Sequence, residues 1–283
     1  MNPALAALGV AVIAALLLLV AGPGTRLGFW EFGTGFTIMR WALFLGLGAA
    51  VLAIILLLIA RTREGKAATL LAAFVIGLAA AWLPWQSYRT VRSLPYIHDI
   101  TTDTRHPPEF VDIAPLRATA PNPVKYPGEE TAEQQREAYP HLRPLELDLP
   151  PAKAFDRALD TATRQGWEIV AAVPEEGRIE ATATTFWFGF KDDVVIRVTP
   201  AGDGSRIDVR SKSRVGRSDV GANAARIRDF LEDFHPGAEG AAGHPAAFCV
   251  TVSPSRRILR FRRQPLTRCA RSRRLLSAIT IHL

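Results

Sequence analysis

The sequence predicts a helical membrane anchor joined to a soluble α+β domain, a four-stranded antiparallel sheet with helices on one face. Three observations carry that prediction. Near-continuous apolar runs fill most of the first 90 residues, apolar and polar residues alternate in short stretches between Trp167 and Val209, and two helical periodicities bracket those stretches.

The apolar runs cover residues 4–21, 41–60 and 67–85, each close to the roughly 20 residues that a helix needs to cross the hydrocarbon core. The first lacks the lysine or arginine that precedes the core of a cleavable signal, so it is predicted to be a retained span. Arg61, Arg63 and Lys66 crowd the loop between the second and third runs, which orients that loop toward the cytoplasm. The amino terminus is then inside and everything after Trp85 outside. Aromatic residues agree: Phe29, Trp30 and Trp41 flank the first loop, and Trp82, Trp85 and Tyr88 end the third run on the same side. Arg89 and Arg92 argue the other way. No run carries a charge in its middle, so the helices read as an anchor rather than a transport path. Gly46 with Ala50 and Gly77 with Ala81 place small residues one turn apart, which permits close helix packing or a dimer seam.

The net charge of +7 points to no acidic partner for the folded part, because residues 237–283 alone carry nine arginines against one acid, Glu239. The rest is close to neutral, which removes the main support for nucleic-acid binding. Both cysteines, Cys249 and Cys269, also lie in that stretch, so thiolate metal clusters are excluded from the main body. A helix ending near Phe234 and the His235-Pro236-Gly237 stop complete the module. The basic stretch is therefore expected to be a disordered tail, either a genuine one that reaches anionic lipid or unrelated sequence translated past the natural stop.

Between 95 and 151 prolines recur, which blocks long helices and interior strands and leaves an extended arm with one short helix over 129–139. Pro151 suits a helix N1 position, and Phe155, Ala158, Leu159 and Ala162 line one face before Gly166. Strands are predicted over 167–173 and 178–186, joined at Glu175-Glu176-Gly177, and over 193–199 and around Ile207 and Val209, joined at Ala201-Gly202-Asp203-Gly204. Val220, Ala224, Ile227, Leu231 and Phe234 then mark an amphipathic helix capped by Ser218 or Asp219.

Three ordered motifs, YIHDITTDTRHPP (96–108), FWFGFKDDVVIRV (186–198) and SRVGRSDVGANAARIRDFL (213–231), together resemble the family called domain of unknown function 1499. The resemblance spans about residues 94–235 and implies that the motifs belong to one compact unit. It implies no activity and no catalytic residue.

Three groups are candidate sites. His98, Asp99, Asp103 and His106 offer the nitrogen and oxygen ligands of a metal site, or an acid/base pair, although an extended chain would point them apart. The same side chains would equally satisfy backbone groups where the arm docks, or touch a partner. Arg210, Lys212, Arg214 and Arg217 lead to the N-terminus of the last helix and could hold a phosphate or lipid headgroup, unless Asp192, Asp193 and Asp208 pair with them. Phe186, Trp187, Phe188 and Phe190 form an aromatic run that reads as a core edge, a ligand groove or a patch on the bilayer surface. No Gly-rich phosphate loop, nucleophile elbow or zinc-protease helix is present, and no cofactor is implied.

These features describe an envelope membrane protein whose extracytoplasmic module binds a partner, either an envelope protein or an amphiphilic or anionic ligand such as anionic lipid. Two alternatives stand beside it: a hydrolase centred on His98, Asp99 and Asp103, and a structural accessory subunit of a membrane complex. The sequence leaves the oligomeric state open.

Overall fold

The computed structural model describes residues 2–59 and 64–234. Arg61 and Arg63, both cysteines and the basic stretch of residues 237–283 lie outside the described residues.

Three helices, α1 (Pro3–Arg26), α2 (Phe32–Leu58) and α3 (Ala67–Ser93), are long and apolar enough to cross a membrane. Pro3 fills the first turn of α1, and the Asn2 side chain accepts the Ala4 N–H at 3.1 Å. The bundle packs through small residues: Ala7, Ala11 and Ala14 of α1, Ala49 and Ala53 of α2, and Ala73 and Ala80 of α3 are buried, whereas Leu16, Phe44, Ile55 and Val75 face outward. That pattern inverts a water-soluble bundle and suits lipid surroundings. A Cβ built on Gly46 would lie 2.5 Å from the Gly77 carbonyl oxygen, and one on Gly77 would lie 2.6 Å from that of Gly46. The two small-residue pairs thus serve the contact between α2 and α3 within one chain.

Two helix ends overshoot the apolar runs by more than two turns. α2 starts at Phe32 rather than 41, and α3 ends at Ser93 rather than 85. Hydropathy marks where a helix meets lipid, whereas the hydrogen-bond ladder continues until something breaks it. At about 1.5 Å per residue the extra turns carry both ends about 12 Å past the apolar runs, toward the domain that follows.

The domain comprises β1 (Asp99–Thr101), α4 (Ile113–Leu116), α5 (Glu129–Ala138), β2 (Leu145–Leu147), α6 (Pro151–Arg164), β3 (Glu168–Val173), β4 (Arg178–Thr184), β5 (Lys191–Ala201), β6 (Gly204–Ser213) and α7 (Ala222–Phe234). The sheet has six strands rather than the predicted four, in the order β1-β6-β5-β4-β3, with β2 also paired to β6. The β3-to-β6 meander follows the alternating stretches. The two further strands come from the proline-rich arm, where prolines flank them instead of interrupting them, and three residues are too few to show a period. β1 aligns Asp99 with Lys212 and Thr101 with Arg210, and β2 aligns Leu145 with Ile207. The outer edge of β1 is closed by the Gln135 side chain on α5, whose amide accepts the Thr101 N–H at 3.0 Å and donates to the Thr101 carbonyl at 2.6 Å.

One sheet face is apolar. Ile179, Val194, Ile196, Ile207 and Val209 pack against Phe155 and Ala158 of α6 and Ile227, Phe230 and Phe234 of α7, with Trp167 stacked on Phe230. α7 begins at Ala222 rather than at Val220, because Val220 adopts a φ of 55° that no helix accommodates. The other face carries Glu180, Asp193, Asp208, Arg210 and Lys212, all buried. The arm covers it, and only a small apolar cluster of Phe110, Ile113 and Val195 sits between.

Gly46→Leu is expected to destabilise the helix bundle by about 1–3 kcal/mol through overpacking. Gly48→Leu, where a new Cβ would meet nothing within 4 Å, should be near neutral. Thermal unfolding midpoints of the two variants in the same detergent check this contrast.

Candidate functional site

Residues 185–190 connect β4 to β5 and form a closed loop. The Thr185 N–H donates to the Phe190 carbonyl at 2.8 Å, the Phe190 N–H donates to the Thr185 hydroxyl at 2.9 Å, and Gly189 turns the chain with a φ of 71°. The aromatic run predicted to continue β4 therefore leaves the sheet and seats on α1 and α2. Arg26, the last residue of α1, donates from Nη1 to the carbonyls of Thr185 at 3.3 Å and Phe186 at 2.5 Å. Trp187 lies against Gly22, where any Cβ would fall 1.9 Å from the indole. Phe188 is buried against Phe36 at 5.0 Å and stacks on Phe190, which meets Phe32 at 6.0 Å.

Beside this clamp a cavity of about 310 Å³ opens between the projecting ends of α2 and α3 and the domain. Its membrane-side wall is mostly apolar, from Phe36, Met39 and Leu43 of α2 and Pro84, Tyr88 and Val91 of α3, with Arg40 and Ser87 among them. Its domain-side wall is mixed, from Phe190, Asp192, Ser213, Val215, Ser218 and Asp219. Asp192 pairs with Arg226 at 2.7 Å. Asp219 caps the start of α7, accepting the Gly221 N–H at 3.0 Å and the Asn223 N–H at 2.7 Å. Burial nevertheless outweighs those bonds and pushes its carboxyl up to about 6. A lining that is mostly apolar toward the helices and mixed toward the domain suits a molecule with a hydrocarbon chain and a polar head.

The four residues considered as a metal or acid/base group are distributed over separate tasks. Asp99 is fully buried, holding Arg210 through both oxygens at 2.9 Å and the Lys212 ammonium at 2.8 Å. Asp103 accepts the N–H groups of Arg105 and His106 and pairs with Arg206 at 2.9 Å. His98 uses its carbonyl to bind Ser213 N–H and the Asn223 amide, and burial, aided by the Lys212 charge, lowers its pKa. His106 is exposed. Among the described residues no group of three or more His, Cys, Asp or Glu is placed to hold a metal ion.

The basic residues of β6 also turn inward. Arg210 bonds Asp99 and the carbonyls of Pro108 and Val124, and Arg214 grips Asp193 at 2.9 and 2.8 Å. Asp208 pairs with Arg197 and Arg206. Only Arg217 of the three arginines considered for anion binding is exposed, and it lies over the Tyr96 ring. Of the aromatic candidates, Phe190 lines the cavity and Trp187 belongs to the clamp. Sequence reasoning overlooked Arg40, which lines the cavity from α2. The available signal was the spacing of Phe32, Phe36, Arg40 and Leu43, which share one helical face once α2 is extended.

Residues 99–234 match the family model described as "Protein of unknown function (DUF1499)". No curated protein matches the chain. A crystal structure of CalU16 from Micromonospora echinospora is similar at 15% identity, covering 34% of this chain and 76% of that one, with a TM-score of 0.25.

Asp219 supplies a pH test. Its folded value of about 6 lies above the ordinary 3.8, so the folded state binds the proton more tightly and this contribution to stability is lost as pH rises through about 6. Relative to Asp219→Asn, the parent chain should lose stability between about pH 4 and about pH 7. Thermal midpoints of both across that range check the slope, and a difference that moves the other way contradicts the assignment.

Proposed function

With a domain that matches the DUF1499 family model, a match that assigns no activity, we propose from the side chains alone that the protein binds an amphiphile at the junction between its membrane helices and that domain. The observation that carries this reading is the cavity itself, walled by Phe36, Met39 and Leu43 on the membrane side and by Ser213, Ser218 and Asp219 on the domain side. A hydrocarbon chain would lie among the helix ends while its head meets the domain. In this reading the protein is a binding module of the cell envelope, with the domain on the extracytoplasmic side, as the cations between α2 and α3 suggest. The hydrolase alternative draws less support, because Asp99 is committed to Arg210 and Lys212.

The test uses the full chain in nanodiscs of zwitterionic lipid, titrated with decanol and with decanoate. A ligand that binds only the native state raises the unfolding midpoint with the logarithm of its free concentration once that exceeds Kd. At least one of the two should do so, and Leu43→Trp, which fills the membrane-side wall, should remove most of the rise while leaving the unliganded midpoint within a few degrees. No rise with either amphiphile, or a rise that Leu43→Trp leaves intact, contradicts the proposal.

A further inference from the structure

The cavity wall holds one cation with no counter-ion among the described residues. Arg40 lines the cavity from α2, one turn past Phe36 and nearly one turn before Leu43. Among the described residues it has no hydrogen bond, ion pair or aromatic partner. The two acids nearby are already committed, Asp192 to the Arg226 guanidinium and Asp219 to the backbone N–H groups that open α7. Ser213 and Ser218 accept hydrogen bonds, from the Asn223 amide at 3.0 Å and the Val220 N–H at 3.2 Å, so their hydroxyl hydrogens remain to be donated. Ser87 differs, since its hydroxyl donates to the Leu83 carbonyl of its own helix.

A cation on a membrane-spanning helix is costly unless it reaches water, a headgroup or a counter-ion. Here it stands beside an apolar trough with two hydroxyl donors opposite. We propose that the junctional cavity selects amphiphiles with an anionic head, a carboxylate or a phosphate monoester, held by Arg40 with Ser213 and Ser218 donating, while the chain runs along Met39, Leu43 and Pro84. This rests on the cavity being the amphiphile site, and it adds the charge of the head and the residue that reads it. Arg40 is exposed on the projecting start of α2, so a neutral head would leave it to solvent alone, whereas an anion gains a charge-assisted hydrogen bond that is shorter and stronger than a neutral one.

The experiment uses the full chain in zwitterionic nanodiscs with three diazirine-bearing probes of equal chain length: a fatty acid, an alkyl phosphate and a fatty alcohol. Crosslinked peptides are mapped by mass spectrometry. The acid, the phosphate or both should label the domain segment 215–222 as well as α2, at least severalfold more than the alcohol does. Arg40→Gln should lower anionic labelling roughly tenfold, the equivalent of about 1.4 kcal/mol, leave alcohol labelling unchanged, and be largely rescued by Arg40→Lys. Which anionic probe is preferred identifies the head. Equal labelling by acid and alcohol that Arg40→Gln does not alter overturns the head preference while sparing the cavity. Labelling confined to the helices, with none on 215–222, shows that Arg40 reads bulk headgroups and overturns the cavity reading as well.

Discussion

The seat of residues 185–190 on α1 and α2 is the contact on which the cavity depends. A rigid loop, closed by Thr185 and turned by Gly189, places Trp187 where only a glycine, Gly22, leaves room and presents its carbonyls to Arg26. Phe188 and Phe190 then meet Phe36 and Phe32, removing aromatic surface from water at the membrane boundary, where such rings are at home. Phe186 remains 77% exposed, alongside Phe29 at 75% and Leu27 at 68%, an apolar rim consistent with the bilayer interface. Because this clamp grips α1 and α2 and not α3, a gap is left between α2, α3 and the domain, and that gap is the cavity.

The domain departs from an ordinary two-layer fold on the face away from its long helices. A proline-rich arm can form few ladder hydrogen bonds, and charged side chains of the sheet supply them instead. Glu180 accepts the N–H groups of Val111, Asp112 and Ile113, Lys212 donates to the Lys125 carbonyl, and Arg210 donates to those of Pro108 and Val124, while Arg117 of the arm donates back to the Ser213 carbonyl of the sheet. Arg210 is also held between the rings of Phe110 and Tyr126. Buried ion pairs of this kind contribute little net stability, yet removing one partner leaves an uncompensated charge. Burial lowers the pKa of Lys212 and of Arg117 while their carboxylate partners oppose the shift. Tyr126, enclosed by the same charges, is pushed up to about 12 by burial first and Asp99 second. The charged face thus specifies one path for a segment that otherwise has many.

Much of this architecture was legible because it is periodic. The apolar runs, the α6 face, the β3-to-β6 meander and the apolar stripe of α7 each repeat often enough to read. β1 and β2 are too short to repeat, and the overshoot of α2 and α3 lies in residues that hydropathy does not score. The alternation of Ile207 and Val209 implied that Arg206, Asp208, Arg210 and Lys212 share the other face, but a single sequence does not say whether water or an arm covers that face. The same gap explains the site: for Arg210 and Arg214 the sequence left anion binding and carboxylate pairing open, and Asp99 and Asp193 turn out to hold them, whereas Arg40 was not considered. The three motifs behind the family resemblance fall on β1 with the arm, on the clamp with β5, and on the end of β6 with α7. They therefore meet at the buried charges and at the junction.

The central claim is that the native protein holds an amphiphile at this junction, and native mass spectrometry of the full chain released from its own membranes in a mild detergent tests it most directly. The account predicts a retained adduct with the mass of an acyl-chain molecule carrying an anionic head, and its loss in Val215→Trp, which narrows the domain-side wall. A bare protein ion under gentle activation, or an adduct that Val215→Trp leaves unchanged, would contradict it.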